Sequence, residues 1–477
     1  MRIEMVSGFL LPAGVWLIVS SGLPMQAQRR LASATFMALA ITLLCYAAFG
    51  FALMYGGIGA TVPELSTVLN APVAIRGAQD IWIFAGATGF LLDTTAQPAA
   101  LSLFIGALPL VLAGAVLLAG ALVQRARSVI QLVLIVLACG VALPIAGCWL
   151  WANGWLSVLG ASDAGRLAVV GLVAGGAGLA WLRSIPRRAP AAHPELPTAH
   201  LPARALAGVL LVLAGMAGIL MPLDPEAALR QFVNTSIAVA VAIIAAGAYT
   251  AFTTRTPDTL SASRAMLAAI FMSSAGAATL PTWMMAAMGA GCGLLATVGF
   301  YWVNEKRLLD DESAMVTAVL LPSAAGMLIA GLFAGPAMLI AQAIAVAAMA
   351  ALAYAPARAL LGLASALRWP TQATPLATPA ERPDRAATPA VAPAPVAPAI
   401  DAPLEAEAPF AQDAPDLPAP QKAGLFDRLR KSPPAAQAEK PARKVAYPYR
   451  FGGRRVPTRP IASDASPADG ATSADAS

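Results

Sequence analysis

Residues 100–123 read ALSLFIGALPLVLAGAVLLAGALV, and after a short QRAR link (124–127) residues 128–150 read SVIQLVLIVLACGVALPIAGCWL. Neither run holds a charged side chain. Each exceeds the roughly 20 apolar residues that carry an α-helix across a bilayer. The runs are continuous rather than alternating, which argues against the strands of a membrane β-barrel. Backbone groups in hydrocarbon must be satisfied within the protein, so such runs read as spans of a helix bundle.

The pattern repeats along the chain. Eleven apolar segments stand out, at 5–22, 31–54, 100–123, 128–150, 165–183, 203–222, 229–252, 259–280, 283–303, 313–334 and 336–364. With 58% hydrophobic and 12% charged residues, the fold class is an all-α polytopic membrane protein. The segment 78–93 is apolar but short and ends in Asp93, so it is expected to lie over the mouth of the bundle rather than cross it. Loop charge sets the orientation. With the N-terminus outside, the inner loops and their flanks hold Arg29, Arg30, Arg125, Arg127, Arg183, Arg187, Arg188, Arg204, Arg255, Arg264, Lys306 and Arg307, against Arg76, Arg166 and Arg230 outside. Positive residues favour the cytoplasmic side, so the expectation is a plasma (inner) membrane protein with its C-terminus in the cytoplasm. The first segment also fits a cleaved signal peptide, but Arg2 is balanced by Glu4, and Arg29 and Arg30 follow it, as suits a retained span.

From Trp369 the composition turns to Pro, Ala, Asp and Glu. Residues 1–368 therefore read as the membrane domain and 369–477 as a disordered cytoplasmic tail. Two islands in the tail, Gly424–Lys431 and Tyr447–Arg455, read either as docking motifs for a membrane surface or a cytoplasmic protein, or as solvated linker. The net charge of +6 sits in loops and tail and points to lipid headgroups, not nucleic acid. Cys45, Cys139, Cys148 and Cys292 all fall in apolar segments without a CxxC pair, so they read as small buried residues. The chain has two histidines, His193 and His200, both in one Pro-rich loop. A metal site needs more ligands than these. No phosphate-binding loop, nucleophile elbow or HExxH is present, so neither an enzyme nor a cofactor is expected.

Several short motifs come in a telling order: Gly120-Ala-Leu-Val-Gln-Arg125, Trp149-Leu-Trp151, Asn153-Gly-Trp-Leu156, Leu159-Gly-Ala-Ser-Asp163, Phe232-Val-Asn-Thr235, Leu309-Asp-Asp311 and Gly331-Leu-Phe-Ala334. Across about residues 5–364 this resembles the ammonium transporter (Amt/Mep/Rh) family, with its GAxAER, HWVWGGGWL, LGALDFAGGxVVHxxAG, FVNT and DDxxDVFxVHGxxGxxGxxxTGLFA patterns. The resemblance implies two inverted five-helix repeats plus an eleventh helix, a pore near the repeat interface, and a homotrimer.

The resemblance also places the pore. Counting from Asp163 puts the family's first pore histidine at Gly171, and the tenth segment puts the second at Val319. The imidazole is lost at both. Leu110 and Ile219 stand where the family has gating phenylalanines, and Leu223 where it has the recruitment-site serine, the sixth segment lying two residues out of step. Trp149 matches the aromatic residue of the mouth, and Asp163 the acidic residue that supports the cation site. The family's acidic residue in the tenth segment becomes Ala314, and Pro322 replaces a glycine and is expected to kink that helix.

Each assignment has a plainer alternative. Asp163 also reads as a helix cap, and Trp149 as an interfacial anchor. Trp151 and Trp155 read as belt residues. Asp310, Asp311 and Glu312 read as the acidic start of a helix, and Gly171, Gly175 and Gly176 as close-packing positions. Imidazole both donates and accepts protons near neutral pH; Gly171 and Val319 do neither. Two functions follow. One is a divergent channel passing a small neutral molecule, ammonia at most, through an apolar pore without proton relay. The other is a non-conducting pseudo-transporter, a membrane scaffold acting through its tail. Packing of Leu110, Ile219 and Val319 across the lumen favours the second.

Overall fold

The computed structural model describes residues 6–23, 25–77, 80–93, 97–186, 201–220, 223–306 and 309–372. His193, His200 and both tail islands lie outside them. A helix falls at each of the eleven apolar segments. They are α1 (Leu10–Ser21), α2 (Met25–Cys45, a π turn Tyr46–Gly50, then Phe51–Tyr55), α3 (Pro98–Leu122), α4 (Ser128–Ile135, a π turn Val136–Ala142, then Leu143–Trp151), α5 (Leu167–Leu182), α6 (Leu201–Ile219), α7 (Pro225–Thr254), α8 (Thr259–Ser273), α9 (Thr282–Leu294, a π turn Leu295–Gly299, then Phe300–Lys306), α10 (a π turn Met315–Leu320, then Leu321–Ala334) and α11 (Pro336–Ala366). Among the described residues, eight of these are long and apolar enough to cross a membrane, while α1, α5 and α8 are apolar but shorter. Helix α5 has 16 residues, about 24 Å at 1.5 Å per residue. It is preceded by a partly buried loop whose Ser162 carbonyl accepts from Gln342 Nε2 at 2.8 Å and whose Gly165 N–H donates to the Ser274 carbonyl at 2.8 Å, so its backbone groups find partners within the protein.

The wide turns explain the prolines. Pro144 and Pro322 are each the second residue of the α-helical part that follows a π turn, in α4 and α10. Proline lacks an N–H and its ring presses on the carbonyl one turn back. A π turn relaxes that carbonyl outward. The disturbance expected at Pro322 thus takes the form of a wide turn over Met315–Leu320, the turn that holds Val319.

Helix α5 is the hub of the bundle. It packs against α3, α8, α10 and α11, and nearly all its side chains are buried. No polar face distinguishes one side of it, as befits a helix surrounded by protein. The four cysteines are free and buried.

Segment 78–93 does not form a helix across the bundle. It contributes β2 (Ile81–Gly86), antiparallel to β1 (Pro72–Arg76), with an irregularity between Val73 and Ala74. Glycine makes the docking possible: a Cβ at Gly86 would overlap the Ala52 carbonyl and the Gly56 backbone. The Thr88 hydroxyl donates to the Gly56 carbonyl at 2.6 Å, fixing the hairpin to the end of α2. The described residues run a little past 368. Residues 369–372 still pair with the α3–α4 link, the Arg127 N–H donating to the Thr371 carbonyl at 3.0 Å, with Ala126 bridged to Gln372.

Candidate functional site

The loop before α5 is built around Asp163. One carboxylate oxygen accepts from the Val169 N–H at 3.0 Å, and the other from the Ser274 hydroxyl at 2.6 Å. Ser274 in turn accepts from the N–H groups of Leu167 and Ala168 at 2.8 and 3.2 Å. The orphan donors of the first turn are thereby satisfied by two side chains from different segments. Burial pushes the Asp163 carboxyl above its ordinary range, opposed by these hydrogen bonds and the nearby Arg166 charge. The FVNT stretch and Gln231 just before it brace the same region. Gln231 Nε2 donates to the carbonyls of Ser273 and Ser274, and Asn234 Nδ2 to those of Ala277 and Leu280 at 2.8 and 3.1 Å. Asn234, nominally a glycosylation sequon, is a buried brace.

Asp311 does for α10 what Asp163 does for α5. Its oxygens accept from Met315 N–H at 2.7 Å and Val316 N–H at 2.8 Å, and burial again raises its carboxyl. In both loops the third residue after the aspartate takes a left-handed backbone, Arg166 at φ 64° and Ala314 at φ 55°, and the helix begins at the next residue. Asp310 serves elsewhere, pairing with Arg125 at 2.8 Å.

The resemblance places the family's histidine pair at Gly171 and Val319, and the surroundings of Gly171 are tightly packed. A Cβ at Gly171 would overlap Ser323 Oγ and lie 2.9 Å from Phe271 Cδ1. A Cβ at Gly175 would meet Leu320 Cβ at 2.7 Å, and one at Gly178 would meet Met315 Cγ at 2.8 Å. Spaced four and three residues apart, these glycines form one face of α5, and α10 is seated on it. Ser323 Oγ donates back to the Val319 carbonyl at 2.7 Å. Leu110, Ile219, Phe271, Val319 and Ser323 are each at most 2% exposed. Leu223 is half-buried against the core. The structure thus brings Gly171 beside the turn of α10 that follows Val319, while Leu110 and Ile219 are buried on α3 and α6. Phe271 and Ser323 were not singled out from the sequence; Ser323 lies four residues beyond Val319, and that one-turn spacing was the available signal.

At the Asp163 end, the aromatic residues divide into two groups. Trp149 donates its indole N–H to the Phe84 carbonyl of β2 at 2.9 Å and sits edge-on to Trp155 at 5.5 Å; Phe84 stacks on Trp155 at 6.0 Å. This group anchors the hairpin. The ring that faces a cation is Trp151, read from the sequence as a belt residue: the Arg166 guanidinium stands 4.7 Å above it and donates to the Tyr55 hydroxyl at 2.8 Å. Arg166 is 7% exposed. A left-handed backbone at a residue with a Cβ costs about 1–2 kcal/mol, and the quoted family pattern has glycine there.

Taken together, the apolar spans and the two capped loops at α5 and α10 describe a polytopic helical membrane protein. The profile of the Ammonium Transporter Family matches residues 3–370, and the chain belongs to that family. Ammonium transporter Amt2 of Archaeoglobus fulgidus is 26% identical over 317 residues, which is 62% of this chain and 63% of that protein. The match thus spans less than two thirds of that relative's length. Among solved structures, one described as a Sensor Amt Protein superposes with TM-score 0.66 at 19% identity, covering 78% of this chain and 93% of its own. Saccharomyces cerevisiae Mep2 gives 0.60 at 18%, covering 79% and 89%. These structures share the fold.

Proposed function

We propose that this chain is a family member whose central path is closed by helix packing, and that it serves as a non-conducting membrane subunit. The observation that carries this reading is the seating of α10 on the Gly171, Gly175 and Gly178 face of α5. The space an imidazole would take at position 171 is held by Ser323 and Phe271. No proton-relaying group remains at 171 or 319, and Leu110 and Ile219 offer no aromatic face to a passing cation. A bare ammonium ion in a dry interior is too costly to cross unpaired. In this reading all eleven helices cross the plasma membrane, the N-terminus outside and the tail in the cytoplasm, in a homotrimer. The tail engages a cytoplasmic protein. A relative described as a sensor fits a bundle that reports rather than conducts.

A second reading is favoured by one observation: Leu110, Ile219, Val319 and Phe271 are all buried, uncharged and apolar, surroundings that neutral ammonia would tolerate. The two are separated by ammonia-dependent pH change in proteoliposomes of the purified protein. No flux above empty liposomes is expected. Flux that Gly171→Trp abolishes would establish an ammonia conduit and overturn the closed-path reading.

A further inference from the structure

We infer that Arg166 is a built-in cation, held in a site at the Asp163 end of the bundle that would otherwise bind a small ammonium- or guanidinium-type ion. The inference concerns this mouth alone and stands whether or not the path below conducts.

Four observations converge on it. The guanidinium lies 4.7 Å over the Trp151 ring, the geometry by which an aromatic face takes up a cation. It donates to the Tyr55 hydroxyl at 2.8 Å. It is more than nine-tenths buried. Its backbone is left-handed at φ 64°, where glycine or asparagine sits more comfortably. A strained arginine whose charge lies on an aromatic face in the interior is held there by what its side chain does. Nearby, Asp163 supplies negative charge. It accepts hydrogen bonds from Val169 and Ser274, both uncharged, and the Arg166 charge acts on it through space. An aromatic face, a hydroxyl and a carboxylate are what a small organic cation requires. Here the chain supplies that cation itself, and positive charge at the mouth repels a second one.

The prediction is a gain of binding. Arg166→Gly and Arg166→Asn both remove the charge and both accept the left-handed backbone. Full-length protein in detergent is titrated calorimetrically with methylammonium and, separately, with guanidinium at millimolar concentration. Both variants are expected to bind saturably and at least ten-fold tighter than wild type. Adding Trp151→Leu to Arg166→Gly is expected to abolish the gain. Equal binding by wild type, no gain in either variant, or a gain that survives loss of Trp151 would each overturn the inference. Flux is not the readout, so failure here leaves the closed-path reading standing, and the reverse.

Discussion

Gly171→Ala is the smallest perturbation that tests whether α5 and α10 are in direct contact. A single methyl group placed at Gly171 overlaps Ser323 Oγ and comes within 3.1 Å of Ser323 Cβ and 2.9 Å of Phe271 Cδ1. Ser323 can move its hydroxyl only by giving up the bond to the Val319 carbonyl, worth about 1 kcal/mol net. The Phe271 contact still has to be relieved, and overpacking of a tight core costs about 1–3 kcal/mol. Against this, alanine is favoured over glycine in a helix interior by about 1 kcal/mol. The expected net loss is about 2 kcal/mol. Unfolding in mixed detergent micelles, followed by tryptophan fluorescence, measures it. Ser323→Ala in the same background removes the overlapping oxygen, so the pair should couple by about 1 kcal/mol in a double-mutant cycle. If Gly171→Ala is neutral or stabilising, helix propensity alone is at work, there is free space beside Gly171, and the closed path is wrong.

Two further substitutions probe the frame around that contact. Asp311→Ala strips the acceptor from two buried N–H groups at the start of α10 and should cost about 2–3 kcal/mol in the same unfolding assay, with Asp311→Asn losing less; a change within about 0.5 kcal/mol would show that α10 does not depend on this cap. Trp149→Phe keeps the ring but removes the donor to the Phe84 carbonyl. Amide exchange over 81–86 should then quicken by about five-fold, and unchanged exchange would mean that other contacts hold the hairpin.

Hydropathy located the helices because apolar length is a property of the chain itself. Every segment marked apolar and long holds a helix, with ends shifted by a few residues. What sequence reading missed depends on the third dimension. Segment 78–93 was given no secondary structure from the sequence; Ile81–Gly86 within it pairs with Pro72–Arg76, a partnership that hydropathy does not encode. Trp149 and Trp151 are two residues apart on one helix and so point to nearly opposite sides. Composition gave no way to choose between them: the Trp149 indole bonds to the hairpin, while the Trp151 ring carries the Arg166 guanidinium. Arg166 was counted as a loop charge because nothing in the sequence marks the left-handed turn that folds it inward. Asp163 was read both as a cap and as a cation-site residue. The structure shows its hydrogen bonds to the start of α5 and sets a guanidinium close enough to act on its charge.

The paired loops before α5 and α10 share one grammar: aspartate, two residues, a left-handed residue, then the helix. Because each aspartate bonds to backbone N–H groups of the helix start, the left-handed residue is the position whose side chain can change without removing those bonds. One half of this chain places an arginine there and the other an alanine. A duplicated turn thus offers evolution two independent places to set charge at opposite ends of one bundle, each adjustable by a single codon while the fold stays as it is.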